Sequence, residues 1–170
     1  MTDPLTIVRR AERPDEPWRN GAGRTRTLWT LPDSAARISV AELERDAPFS
    51  HLPGIDRTFC LLGPGRVVLE VDGIVRSLRP GEWTRFEGEA EVRARLAEGP
   101  VRAFNIMTAR GRARHRVQAS GGALDQAMLG VLEDGCAGDA ALRCGDLVLP
   151  PVPQGITGRF LAIGIEPLTG

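Results

Sequence analysis

The sequence contains no lysine and no tyrosine, only two histidines and three cysteines, and its aromatic content is 5 %. Each shortage excludes something. Without lysine there is no Schiff-base chemistry and no phosphate-loop cation, because both need a primary ammonium. Without tyrosine no phenolic acid is available. His51 and His115 stand far apart, each without a histidine neighbour. Imidazoles and carboxylates must converge on one ion to hold a metal, and two isolated histidines do not offer that, so no metal site and no cofactor are expected. Cys60, Cys136 and Cys144 follow no metal spacing and read as free thiols of a cytosolic protein. Met1-Thr2-Asp3-Pro4-Leu5 has no apolar signal core and no apolar run is long enough for a bilayer, so a cytoplasmic location without membrane contact is expected. Acidic and basic residues balance at 22 each, which argues against nucleic acid as a partner. There is no Gly-x-Ser-x-Gly elbow, and adjacent Ser50 and His51 do not make a triad.

What the chain does contain is punctuation. Its 20 glycines and 13 prolines divide 170 residues, about one domain, into short alternating segments. Arg37–Leu43 and Arg66–Val71 alternate; Asp72-Gly73 then gives a hairpin turn into Ile74–Leu78, because both positions tolerate φ > 0. Trp83–Phe86, Val92–Leu96 and Val101–Met107 follow at similar spacing. Ala123–Leu132 comes closest to a helical period, and its glycines weaken it. Short strands at this spacing predict an all-β sandwich or barrel.

A faint internal repeat accompanies them. Leu78-Arg79-Pro80-Gly81-Glu82-Trp83 resembles Leu142-Arg143-Cys144-Gly145-Asp146-Leu147: a strand, a tight glycine turn with an acid, and a strand. The closing segments, Val101–Met107 and Arg159–Ile165, match as well. A duplicated β-module accounts for the pattern, and the turn resembles the second motif of cupins.

The candidate site residues come from three stretches. The loop Asp46–Arg57 holds Phe49, Ser50, Asp56 and Arg57 and runs into the apolar strand Thr58–Leu62. Alternation puts Arg57 on the face of Phe59 and Leu61, where a guanidinium needs a partner: Asp56, Glu42 or a ligand. The glycine-rich stretch Pro17–Trp29 offers Trp18, Asn20, Thr25 and Arg26, either as a turn into the first strand or as the lip of a cavity. Asn105 shares a face with Val101, Ala103 and Met107; it either ties down backbone or faces a cavity, and Ser39 has the same two readings.

These residues resemble the HutD/Ves family, bicupin proteins linked to histidine utilisation. The matching motifs are Trp18–Thr25, Arg37–Ala41, Pro48-Phe49-Ser50, Pro53-Gly54-Ile55-Asp56-Arg57 and Asn105-Ile106-Met107-Thr108. Ala22, Ala47 and Ala103 depart from the family pattern, the last where an Asp commonly precedes the Asn. The resemblance implies a metal-free bicupin, with two fused jelly-roll barrel modules in one domain spanning 1–170. The first module runs over about 15–111 and a C-terminal half-module over about 112–170. It also implies a small carboxylate as partner, urocanate or a formylated or formiminated glutamate, bound by a regulator or sensor. Two other readings stand beside this one. One is a metal-independent isomerase or hydrolase using Asp56 or Glu42 as general base. The other is a structural module that pairs into a homodimer through its barrel edges.

Overall fold

The computed structural model describes residues 5–119 and 127–169. Among the described residues the chain is all-β, as expected, with one 3-10 turn at Arg10–Glu12. The strands begin with β1 (Thr6–Val8), β2 (Glu16–Pro17), β3 (Gly23–Thr30), β4 (Ala36–Leu43), β5 (Ala47–Pro48) and β6 (Ile55–Gly63). There follow β7 (Val67–Val71), β8 (Ile74–Leu78), β9 (Trp83–Glu87), β10 (Val92–Leu96), β11 (Val101–Ala109) and β12 (Ala113–Ala119). The remainder are β13 (Met128–Val131), β14 (Gly135–Ala137), β15 (Ala140–Leu142), β16 (Leu147–Leu149) and β17 (Phe160–Pro167). Of the window with a weak helical period, Met128–Val131 is strand, and residues 123–126 lie outside the described part.

Three sheets carry the architecture. A six-stranded sheet in the order β2-β3-β4-β11-β6-β9 forms the middle layer. A four-stranded sheet, β5-β10-β7-β8, covers one face, and a five-stranded sheet, β1-β16-β13-β17-β12, covers the other. The middle layer is therefore apolar on both sides, which explains why β4, β6 and β11 read as nearly continuous buried runs. Odd positions such as Ala41, Phe59, Leu61 and Ala103 pack toward the four-stranded sheet. Even positions such as Ile38, Val40, Cys60, Phe104 and Ile106 pack toward the five-stranded sheet. The β7–β8 hairpin turns on Asp72 and Gly73 at φ 48° and 79°, the doubly left-handed turn that this dipeptide favours.

The repeated glycine turns adopt one geometry. Gly81 N–H donates to Leu61 O at 2.7 Å, and Gly145 N–H donates to Val131 O at 2.8 Å. In return Leu61 N–H donates to Glu82 O at 3.0 Å, and Val131 N–H to Asp146 O at 2.9 Å. Each acid closes its own turn: the Glu82 carboxylate accepts from Arg79 N–H at 2.8 Å, the Asp146 carboxylate from Arg143 N–H at 3.1 Å. Both glycines sit at positive φ, 88° and 92°. The sequence similarity between the two segments is thus a similarity of hydrogen-bond pattern.

Behind the middle sheet lies a buried histidine. His115, 2 % exposed on β12, places one ring nitrogen 2.8 Å from the Thr58 hydroxyl and the other 2.8 Å from the Thr108 hydroxyl. Burial pushes its pKa down to about 4, with the field of Arg85 adding to the effect. The neutral ring donates to one threonine, accepts from the other, and so ties β12 to β6 and β11.

Candidate functional site: a cavity with two arginines in its floor

Strand register builds the cavity floor. Arg37 on β4 lies opposite Met107 on β11, Met107 lies opposite Arg57 on β6, and Arg57 lies opposite Phe86 on β9. The next row runs Ser39, Asn105, Phe59. The side chains of both rows point toward the four-stranded sheet, where they meet the loop after β5 and the stretch around β2. Together these elements enclose a cavity of about 460 Å³.

Arg57 is the central group. It is 5 % exposed, its Nε has no hydrogen-bond partner, and no carboxylate among the described residues pairs with it. Its one hydrogen bond is a long one, from Nη1 to Ser50 O at 3.4 Å. The guanidinium rests instead against two adjoining aromatic rings, with its carbon 5.2 Å from the centroids of both Phe49 and Phe86. Burial, reinforced by the nearby charge of Arg37, pulls its pKa down to about 10. It remains a cation at neutral pH, but one with water removed and no counter-charge supplied.

Two further polar groups complete the floor. Asn105, 8 % exposed, leaves its Oδ1 without a partner. Arg37 makes only a weak contact, Nη2 to Met107 Sδ at 3.7 Å. The walls are Trp18, Pro48, Phe49 and Leu52, and Glu16, Arg19 and Asn20 stand at the rim. The site therefore offers two cations, an amide acceptor and apolar walls: an arrangement that suits a planar anion carrying a hydrogen-bond donor.

The sequence candidates divide. Trp18, Asn20, Thr25, Phe49, Ser50, Arg57 and Asn105 all line this cavity. Trp18 Nε1–H donates to the Thr25 hydroxyl at 2.8 Å, and Asn20 Oδ1 accepts from Ala22 N–H at 2.9 Å, so both polar groups also shape the lip. Ser39 stands in the second row of the floor but does not line the cavity; it is wholly buried, its hydroxyl donating to Asn105 O at 3.4 Å. Arg26 is turned outward to Asp15, 3.5 Å away.

The expected partners of Arg57 are a correction. Asp56 faces away from the cavity and pairs with Arg110 at 3.0 Å and Arg85 at 3.2 Å. Glu42 pairs with Arg10 at 2.9 Å. The reason is the strand period of two: in β6 and β4 these acids occupy even positions, opposite to the face of Arg57 and Arg37. Arg37, Met107 and Phe59 are floor residues that the candidates omitted. Alternation along Arg37-Ile38-Ser39-Val40-Ala41 carried the signal for the first of them.

His51 is exposed in the loop, and His115 has both ring nitrogens engaged. Among the described residues no three His, Cys, Asp or Glu side chains converge as metal ligands. Cys60, Cys136 and Cys144 are free thiols, and no helix among these residues is long and apolar enough to cross a membrane.

Fold and cavity define an all-β protein with a pocket floored by two arginines, one of them buried and paired with no carboxylate among the described residues. A family model described as HutD matches residues 10–133, and the chain belongs to the HutD family. Protein Ves of Citrobacter koseri is 36 % identical over 109 residues, covering 61 % of this chain and 57 % of the relative. An uncharacterised 21.2 kDa protein in the hutC 3′ region of Pseudomonas putida is 33 % identical over 120 residues, covering 67 % of this chain and 63 % of the relative. The alignments thus span about three fifths of these relatives' length. HutD from Pseudomonas fluorescens SBW25 shares the fold, with a TM-score of 0.80 over 98 % of this chain and all of that one, at 24 % identity.

Proposed function

We propose that this protein binds a small carboxylate in the first of two cupin-like modules and acts as a sensor or regulator in histidine utilisation. One observation carries the reading: the buried Arg57 guanidinium packs against two neighbouring aromatic rings but has no counter-anion among the described residues. A cation left in that state is costly, and an incoming carboxylate would supply both the missing charge and the missing acceptors. The unpartnered Asn105 Oδ1 adds a demand for an N–H on the same ligand. Urocanate and the formylated or formiminated glutamates meet both demands. The genomic setting of the Pseudomonas putida relative supports the link to histidine breakdown.

The enzymatic reading has less support. Asp56 and Glu42, its candidate bases, are held in ion pairs away from the cavity. Calorimetric titration with urocanate and with formylglutamate tests the binding reading. One site per chain, lost in Arg57→Met, is the expected result; no heat from either compound in the wild type would overturn it.

A further inference from the structure

A second cleft, of about 540 Å³, lies on the opposite face of the middle sheet from the cavity. It forms where the 3-10 turn Arg10–Glu12, the start of β11 and the second glycine turn meet. Four guanidinium groups line it: Arg9, Arg10, Arg102 and Arg143.

Two of its three carboxylates are already occupied. Asp146, 3 % exposed, accepts from Arg9 Nη1 at 2.8 Å, Arg10 N–H at 3.0 Å and Arg143 N–H at 3.1 Å. Asp134 accepts from Arg143 Nη1 at 3.0 Å and Cys144 N–H at 2.8 Å, and these bonds hold it below the ordinary carboxylate range. Glu12 is exposed. Against this, Arg102 forms no hydrogen bond and no ion pair among the described residues; Arg10 donates through Nη1 to Glu42 at 2.9 Å but keeps its Nε without a partner. Arg10 is fixed in place, because its stem lies across Gly145, where a Cβ would stand 2.7 Å from Arg10 Cδ.

We propose that this cleft binds a phosphate monoester, with Arg102 and Arg10 donating to its phosphoryl oxygens. A planar carboxylate is satisfied by one guanidinium fork. Donors arriving from two separate elements fit a tetrahedral dianion, which has three oxygens to present. The cleft is larger than a phosphoryl group and leaves room for the organic part.

The test is titration of the full chain with glycerol 3-phosphate and, in parallel, with inorganic phosphate, followed by calorimetry and by melting temperature. Wild type, Arg102→Met, Arg102→Lys and Arg57→Met are compared. The expected result is one saturable monoester site, weakened tenfold or more in Arg102→Met, less so in Arg102→Lys, and unchanged in Arg57→Met. Arg102 is a partly exposed residue with no partner to lose, so both variants should melt like the wild type without ligand. No saturation at millimolar concentration would overturn the proposal, as would unchanged affinity in Arg102→Met. Loss of binding in Arg57→Met would assign the phosphate to the cavity instead. Equal affinity for inorganic phosphate would overturn the monoester and leave the free ion as the ligand.

Discussion

Arg37 and Arg57 stand in one cross-strand row with Met107 between them, and their guanidinium groups face the same cavity. Like charges in one small volume repel, and here the acids of the same strands, Glu42 and Asp56, are on the far side of the sheet, paired with other arginines. The free protein holds this repulsion as a standing cost.

Replacing Arg57 therefore separates folding from binding. Arg57→Met removes a buried, uncompensated charge and lays an apolar chain against Phe49 and Phe86, so the unliganded protein should gain about 1 kcal/mol or more. Carboxylate binding should fall at least ten- to a hundredfold, the worth of a charged hydrogen bond at about 1.5–3 kcal/mol. Arg57→Lys keeps the charge but loses the fork and should also bind weakly. Denaturant titration beside calorimetry reads both effects; a strongly destabilised Arg57→Met would show the arginine to be structural.

The aromatic clamp makes its own prediction. Phe49 is half-buried and touches Phe59 and Phe86 with ring centroids 5.5 and 6.2 Å away. Phe49→Ala should cost about 2–3 kcal/mol, toward the low end for a phenylalanine because the residue lines an open rim. It should also weaken carboxylate affinity by freeing Arg57 to turn. Affinity unchanged beside a normal stability loss would limit Phe49 to packing.

Acid should find His115. Its folded pKa, about 4, lies below the ordinary value of 6.5, so the unfolded chain binds the proton more readily. Stability from this group is complete above about pH 6.5 and is lost as pH falls toward 4, by roughly 3 kcal/mol in all. His115→Gln should be less stable at neutral pH and flatter across that window. Equal slopes in the two proteins would remove His115 as the cause.

Two glycines should differ sharply. A Cβ on Gly23 would stand 2.2 Å from the Glu42 carbonyl oxygen, a backbone atom that cannot step aside, whereas Gly73 has open space around it and a φ of 79°. Gly73→Ala should cost about 1 kcal/mol for the left-handed backbone alone. Gly23→Ala should cost several times more and disturb the lip of the cavity, since Trp18 packs 3.2 Å from the same point. Thermal melts of the two variants make the comparison.

Much of this was legible in the sequence, and the limits have a physical pattern. Alternation alone placed Arg57 with Phe59 and Asn105 with Met107, and the glycine turns announced themselves by their spacing. The same alternation turns Asp56 to the opposite face, yet adjacency in sequence made it look like a partner. Register between strands was not legible: that Met107 lies between Arg37 and Arg57 depends on how β4, β11 and β6 slide against one another. Nor could local pattern bring β1 to β16, a pairing of Ile7 with Val148 across nearly the whole chain.

The middle sheet carries apolar packing on both of its faces. Behind the two rows of the floor there is no solvent, only close-packed side chains, so the floor cannot yield without disturbing the layer beyond it. Compliance must then reside at the rim, in the lip around Trp18 and Asn20 and the loop after β5. Exchange of amide hydrogens should be slow along β6 and β11 and fast in those two loops, and a ligand should quiet the loops while leaving the floor as it was.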